Sequence, residues 1–373
     1  MQKYPISSKK ILDEIVNSSR QQWARTQLSG YQTIYNNLQK SVIGQELAIK
    51  ELASELHYQT TQTKNKVYLF VGPTGVGKTE LAKAVAKIKK HFIPFAMNLY
   101  PEEQHISTFF GAASGLVGSM DRPHFAKEME KCQPVHTANE GSTRIYEVQE
   151  AVILFDEFEK AHTKIKQSLL TLFDEGYCTV YYTDGAYGPN ISEKYIFKKS
   201  IMVATSNLYQ EAIAEAFLRE ETAEKISDTF SELNRVLPLP TSYSPELLAR
   251  MKIIPFGPIP RGVPYKKLLR LKINAFLDSL REELNPKAAA IENESSALFH
   301  LENKLYRKGV DIRTVNRYFN DLIKSIKSKQ NLGDLKQQKL LFCADENGVF
   351  MKSLYYLDRI DDYYDSNTIT RLP

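Results

Sequence analysis

The run Gly72-Pro73-Thr74-Gly75-Val76-Gly77-Lys78-Thr79 sets a lysine and a hydroxyl at the end of a glycine-rich turn. It fits the spacing G-x-x-x-x-G-K-[ST] in full. Glycines let the main chain turn tightly enough for successive N–H groups to converge on phosphate oxygens. A helix that follows aims its positive N-terminus at the same place. Lys78 is then expected to reach the β- and γ-phosphates of ATP, and the Thr79 hydroxyl to ligate Mg²⁺. A second chemical pair is Asp156-Glu157, which closes the apolar run Ala151 to Phe155. A buried strand that stops at two carboxylates delivers them to the C-terminal edge of a sheet, where the ligand crevices of open α/β sheets lie. Asp156 is expected to hold Mg²⁺ through water, and Glu157 to polarise an attacking water as general base. Alone, a strand followed by Asp-Glu is a weak signal. Paired with the phosphate loop it becomes a strong one.

These residues need a frame. Lys66 to Val71 is a short β-branched and aromatic run suited to a buried parallel strand, and Ala151 to Phe155 and Ile201 to Thr205 are two more. Helical apolar spacing marks Ala48 to Leu56, Glu80 to Ile88 and Lys164 to Phe173. Strands alternating with helices predict an α/β domain with a mostly parallel sheet between helices. Pro255, Pro258, Pro260 and Pro264, with Gly257 and Gly262 between them, mark a domain boundary. Beyond it, Tyr265 to Leu284 and Ser296 to Ser328 read as amphipathic helices. Lys339 to Ala344 and Val349 to Met351 flank an Asn-Gly turn, the pattern of a terminal β-hairpin. Residues 358–373 are expected to fray. Residues 1–40 carry loose helical spacing and form either a docking arm or a helix packed on its own domain. The expected division is a helical extension (1–40), a large α/β domain (41–257) and a small, mainly helical domain ending in the hairpin (258–373). The polar stretch Gln133 to Glu150 reads as a solvated loop inserted before the acidic strand. The tyrosines around 177–187 read as a packed hairpin.

Composition narrows the function classes. The chain has 373 residues, 49 Lys plus Arg against 44 Asp plus Glu, and a net charge of +5. That is too mild to imply nucleic acid or an anionic membrane as partner. The 42% hydrophobic content excludes a wholly disordered chain. No apolar run approaches the roughly 18–20 residues of a spanning helix. Met1 to Lys10 shows no apolar signal segment. Cys132, Cys178 and Cys343 stand far apart, so neither a disulfide framework nor a cysteine zinc site is expected, and a reducing cytoplasm is the simplest compartment.

Taken together, Val42-Ile43-Gly44-Gln45, the segment Leu69 to Lys83 and the segment Leu154 to His162 resemble the Clp-type AAA+ ATPases, most of all the second ATPase module of the ClpB/ClpA disaggregases and unfoldases. The resemblance runs over roughly residues 40–355 with order and spacing kept. It implies a P-loop NTPase large domain followed by a helical lid. It implies that Val42 and Ile43 sit against adenine, and that Asn207, in Ala204-Thr205-Ser206-Asn207-Leu208, positions the attacking water. Arg250, closing Pro245-Glu246-Leu247-Leu248-Ala249-Arg250, would be an arginine finger entering a neighbour's site. Arg313, in Asp311-Ile312-Arg313, would reach the γ-phosphate from the lid, with Arg317 as its rival. A finger in trans implies a homo-oligomeric ring, usually a hexamer, acting on a protein substrate.

The pattern also departs from the family. Gly115-Leu116-Val117-Gly118 falls where the substrate-gripping pore loop has an aromatic residue, and Leu116 offers less contact area and no stacking. Thr183-Asp184-Gly185 resembles a second pore loop, and Tyr187 beside it could supply the missing aromatic contact. There is no tripeptide of the kind used to dock on the ClpP peptidase, so a proteolytic role is disfavoured. Three functions therefore compete: an ATP-hydrolysing motor that remodels protein partners, a slow nucleotide-switched scaffold, and a nucleic-acid motor. Only Lys266, Lys267, Arg270, Lys272, Lys324, Lys327 and Lys329 support the third. At helical spacing such charges are more often a solvated face.

Overall fold

A computed structural model describes residues 30–59, 66–112, 121–183, 190–284, 288–291, 294–306, 312–329, 338–345, 348–356 and 363–371. The chain opens with α1 (30–41) and α2 (Glu46–Gln59), then β1 (Lys66–Val71), α3 (Lys78–Ala86), β2 (His91–Ala96), α4 (His105–Phe110) and α5 (His124–Glu130). It continues with β3 (Val135–Glu140), β4 (Thr143–Gln149), β5 (Ala151–Asp156), α6 (Thr163–Ser168), α7 (Leu170–Glu175), β6 (Tyr177–Thr183), β7 (Asn190–Lys198) and β8 (Ile201–Ser206). Next come α8 (Gln210–Leu218), α9 (Ala223–Val236), α10 (Pro245–Leu248), β9 (Lys252–Pro255) and α11 (Val263–Leu284). The last elements are β10 (Ala288–Ile291), α12 (Glu294–Leu305), α13 (Ile312–Lys329), β11 (Gln338–Asp345), β12 (Gly348–Tyr356) and β13 (Tyr363–Arg371).

The central sheet has the order β2-β5-β8-β1-β9, and every pairing in it is parallel. Its inner strands β5, β8 and β1 are mainly apolar because both their faces are covered. On β1, Val67, Leu69 and Val71 join one apolar cluster, with Phe125, Ile165 and Phe230 from helices on that side. Tyr68 and Phe70 point the other way, into a cluster with Ile49 and Leu52 of α2 and Leu81 and Val85 of α3. The side-chain period of two thus builds two cores from one strand. Register aligns the strand ends: Val71 lies opposite Ser206 and Pro255, and Phe155 opposite Ala204. The turns that leave β1, β5 and β8 therefore open on one edge.

The edge strands β2 and β9 carry no strong sequence pattern. Pro94 interrupts β2, which proline permits only on an edge. In α1, Leu38 is buried and Tyr31, Ile34 and Tyr35 lie against the second cluster, so this part of the N-terminal segment packs on its own domain. Residues 1–29 lie outside the described residues.

The stretch read as a solvated loop is instead part of a second sheet, ordered β3-β4-β7-β6. Its polar composition is that of an edge hairpin. All of β3 is exposed, whereas Ile145 and Val148 of β4 are buried. The partner that orders β4 is β7, parallel to it and distant in sequence. The tyrosine-rich stretch does form a packed antiparallel hairpin, β6 with β7. Its interior holds a buried carboxylate, Glu193, which accepts hydrogen bonds from Tyr182 Oη (3.0 Å) and Tyr195 Oη (2.6 Å) and pairs with Arg122 (3.2 Å).

Past Pro255 a separate apolar cluster joins α11, α12 and α13, with Phe276, Leu301, Phe319 and Phe342 among its members. The stretch from Ser296 to Ser328 is two helices, α12 and α13, rather than one. The expected hairpin is present as β11 and β12, but it belongs to a four-stranded sheet, β10-β11-β12-β13. Part of the tail expected to fray is strand β13, antiparallel to β12. Its Asp, Ser, Asn and Thr residues hide the strand from a composition reading; the ladder to β12 supplies its hydrogen bonds.

Candidate functional site

The phosphate loop connects β1 to α3, as its flanking residues predicted. Gly72, Gly75 and Gly77 all have positive φ, at 144°, 67° and 105°. At Gly72 the reason is tertiary as well as local. A Cβ there would lie 2.2 Å from the carbonyl oxygen of Phe256, which follows β9. The loop is thus held hard against the edge strand, with Phe256 N donating to Val71 O at 2.8 Å. Lys78 is buried at the first turn of α3. Its Nζ donates to Gly72 O (2.7 Å), Pro73 O (2.6 Å) and Asn207 Oδ1 (2.8 Å). Pro73, Thr74 and Val76 complete the loop, with Val76 buried.

Three strand ends converge on that lysine. Thr79 Oγ1 donates to Asp156 Oδ1 at 3.1 Å, across from β5. Thr205 of β8 donates to the same oxygen at 2.5 Å. The Thr205 hydroxyl also accepts from the Glu157 amide at 2.9 Å. One threonine therefore orients the carboxylate of Asp156 and the main chain of Glu157. Glu157 sits at φ 55°, a left-handed conformation uncommon for a side-chain-bearing residue. Its carboxylate pairs with Lys160 Nζ at 2.8 Å. Thr79, Asp156 and Thr205 form an oxygen donor set of the kind a hard divalent cation takes, and the glycine loop with Lys78 suits a polyphosphate.

One cleft is lined by Gly75, Lys78, Thr79, Asp156, Glu157, Thr205 and Asn207 together with Ile312 and Arg313 from the start of α13. Ile312 N donates to Gly75 O at 3.2 Å, so the helical region closes directly on the phosphate loop. Arg313 is brought to the cleft, and its rival Arg317 is not among the lining residues. Val42 is buried in the α2–α3 cluster beside Gly77, and Ile43 is half-buried next to it. Arg250 does not line this cleft. Its Nη2 pairs with Asp174 of α7 at 2.6 Å, and its Nη1 donates to Glu246 O at 2.6 Å. Leu116, Val117 and Tyr187 lie outside the described residues.

The residues 63–254 match the family model described as AAA domain (Cdc48 subfamily), about half of the chain. The chain belongs to the AAA family. Its curated relatives place this AAA domain in the Clp type. It is 31% identical over 308 residues to chaperone protein ClpB of Malacoplasma penetrans, covering 78% of this chain and 37% of that protein. It is 28% identical over 337 residues to ClpB of Prochlorococcus marinus, covering 88% and 33%. Against ClpB of Rickettsia typhi it is 31% identical over 294 residues, covering 76% and 30%. The Clp-type chain spans about a third of the length of the relatives it matches. Among the described residues no helix is long and apolar enough to cross a membrane.

Several residues of this AAA site escaped the sequence reading. Gln45 receives the main chain after β9: its Nε2 donates to Gly257 O (2.8 Å) and its Oε1 accepts from Gly257 N (3.2 Å). Thr205 stood in a quoted segment but carried no role. Glu159 is buried in the short 3₁₀ turn after Glu157, and its Oε1 accepts from Asn207 Nδ2 (3.3 Å) and Asn207 N (3.4 Å). Burial pushes the Glu159 carboxyl above the ordinary carboxylate range. Behind it Lys166 is also buried, and its Nζ donates to Glu159 O (2.8 Å) and Thr241 O (3.0 Å). Burial pulls the Lys166 ammonium down to about 8. The only signal for Glu159 was its position in the Glu157-Phe158-Glu159-Lys160 run.

Proposed function

We propose that this Clp-type AAA chain is a Mg²⁺-dependent ATPase that hydrolyses ATP to ADP and phosphate and uses the cycle to remodel, assemble or disassemble protein partners. The observation that carries the reading is the convergence of Lys78, Thr79, Asp156, Glu157 and Asn207 at the ends of three adjacent parallel strands, under Arg313. Gly72 to Thr79 would cradle the phosphates, and Val42 and Ile43 would flank the base. Thr79 and Asp156 would hold Mg²⁺ directly or through water. The cation supplies charge neutralisation on the phosphate oxygens. Glu157 would accept the proton of the attacking water, Asn207 would orient that water, and Lys78 and Arg313 would stabilise charge developing on the transferred group.

Arg250 stands apart from its own cleft, which supports a role in a neighbouring subunit and hence a homo-oligomer, a hexamer by family analogy. The separate apolar clusters support a division near residue 257 into an ATPase domain and a lid. Three buried cysteines, none in a disulfide, fit a reducing, cytoplasmic setting. A peptidase partner and nucleic acid remain outside this reading. Leu116 in place of an aromatic gripping residue favours a second reading, a slow nucleotide-switched scaffold. Steady-state turnover measured beside mass by light scattering separates the two. Glu157→Gln is expected to keep nucleotide affinity and lose about 100-fold or more of turnover. A variant that hydrolyses at the wild-type rate removes Glu157 as the base. A wild-type monomer that binds ATP without turnover removes the motor.

A further inference from the structure

The sensor-like Asn207 is gripped from two sides by groups of opposite charge. Lys78 Nζ donates to its Oδ1 at 2.8 Å, and its Nδ2 donates to Glu159 Oε1 at 3.3 Å. An amide has two near-equivalent faces, and a neutral environment lets it flip. Here a flip would turn the NH₂ group toward an ammonium and the carbonyl oxygen toward a carboxylate. The same Glu159 oxygen accepts from the Asn207 main-chain N–H at 3.4 Å, so it fixes the backbone as well as the side chain. One Nδ2 hydrogen is committed to Glu159, and Asn207 itself lines the cleft.

The burial of Glu159 leaves part of its carboxylate unsatisfied. The side chain is 5% exposed, and among the described residues its second oxygen, Oε2, has no hydrogen-bond partner. Lys166, a buried cation on the same side, spends its hydrogen bonds on main-chain carbonyls, including that of Glu159 itself, and among the described residues makes no ion pair with the carboxylate. A buried carboxylate with one oxygen unsatisfied is costly to keep, and an apolar side chain of similar size at such a place is often neutral or stabilising.

We propose that Glu159 is the positioning residue of Asn207: an acceptor that holds the amide in one orientation so that it meets the attacking water correctly. This rests on the reading of Asn207 given above. Glu159 touches no reacting atom and acts only through Asn207.

The test uses the full chain. Glu159→Leu removes the acceptor and keeps the volume. It is expected to leave the melting temperature unchanged or raised and the affinity for a fluorescent ATP analogue within about twofold, while kcat falls about tenfold. Glu159→Gln retains an oxygen that can accept from Asn207 and is expected to recover most of that loss. In an Asn207→Ala background Glu159→Leu should cost nothing further. Without nucleotide, hydrogen exchange at the Asn207 amide should speed up about tenfold in Glu159→Leu, with Leu208 unaffected. If Glu159→Leu does not fold, Glu159→Asp, whose carboxylate is one methylene too short, is expected to show the same pattern. An unchanged kcat in Glu159→Leu beside a lowered kcat in Asn207→Ala overturns the proposal alone. So does an equal loss in the Asn207→Ala background, or an unchanged exchange rate at Asn207. An unchanged kcat in Asn207→Ala overturns the reading of Asn207 and the proposal with it.

Discussion

Gly72→Ala is the substitution whose cost the structure determines best. The residue sits at φ 144°, and an added Cβ would stand 2.2 Å from Phe256 O and 3.0 Å from Phe256 C. Carbon contacts relax only near 3.5 Å, so the two chains must part by about 1 Å. Neither can yield freely. Gly72 N donates to Ser206 O at 3.3 Å and Phe256 N to Val71 O at 2.8 Å, and the Phe256 ring is fully buried, 5.1 Å from the ring of Phe70. Holding an alanine at this φ costs about 1–3 kcal/mol. Losing the two hydrogen bonds adds about 1 kcal/mol each, for a total of about 3–5 kcal/mol. That is a large share of the roughly 5–15 kcal/mol that separates a folded domain from its unfolded chain. Gly141→Ala is the control. It too has a positive φ, 61°, but among the described residues nothing lies within 4 Å of its Cβ position, so only the conformational cost of about 1–2 kcal/mol applies. Urea unfolding followed by circular dichroism compares them. A Gly72→Ala loss no larger than that of Gly141→Ala would refute the steric reasoning. Nucleotide affinity should fall with Gly72→Ala and stay unchanged with Gly141→Ala.

Lys166 has its folded-state pKa lowered to about 8 from an ordinary 10.5, so between those values the unfolded chain binds more protons and this group adds stability as pH rises. The stability of wild type relative to Lys166→Met should therefore climb from pH 8 toward pH 10. A difference that stays flat across that range would contradict the burial argument. Glu193→Ala strips Arg122 and two tyrosine hydroxyls of a buried acceptor and should cost about 3–5 kcal/mol in urea unfolding; a loss below about 1 kcal/mol would show that the cluster holds little. Arg250→Ala should abolish turnover yet regain part of it when mixed with Lys78→Ala subunits, whose Arg250 is intact. No recovery in freely exchanging mixtures counts against a finger in trans.

The sequence by itself determined the phosphate loop, the acidic strand end and the α/β class. These are local: the turn needs glycines at fixed spacing, and a doubly covered strand needs a continuous apolar run. The Clp-type resemblance was equally legible because its segments keep their order. Tertiary structure alone decided what those residues touch. That Thr205 orients Asp156 and Glu157, and that Glu159 orients Asn207, follows from the parallel register of β5 against β8, which no single segment encodes. Residues 133–150 looked like a loop because the strand that orders β4 lies on the far side of β5 in the sequence. β13 was invisible for the same reason, since a polar strand takes its conformation from the ladder beside it. Gly72 joins the two levels. Its place in the motif is local chemistry, but the atom that forbids any side chain there, the carbonyl oxygen of Phe256, arrives only when β9 pairs with β1.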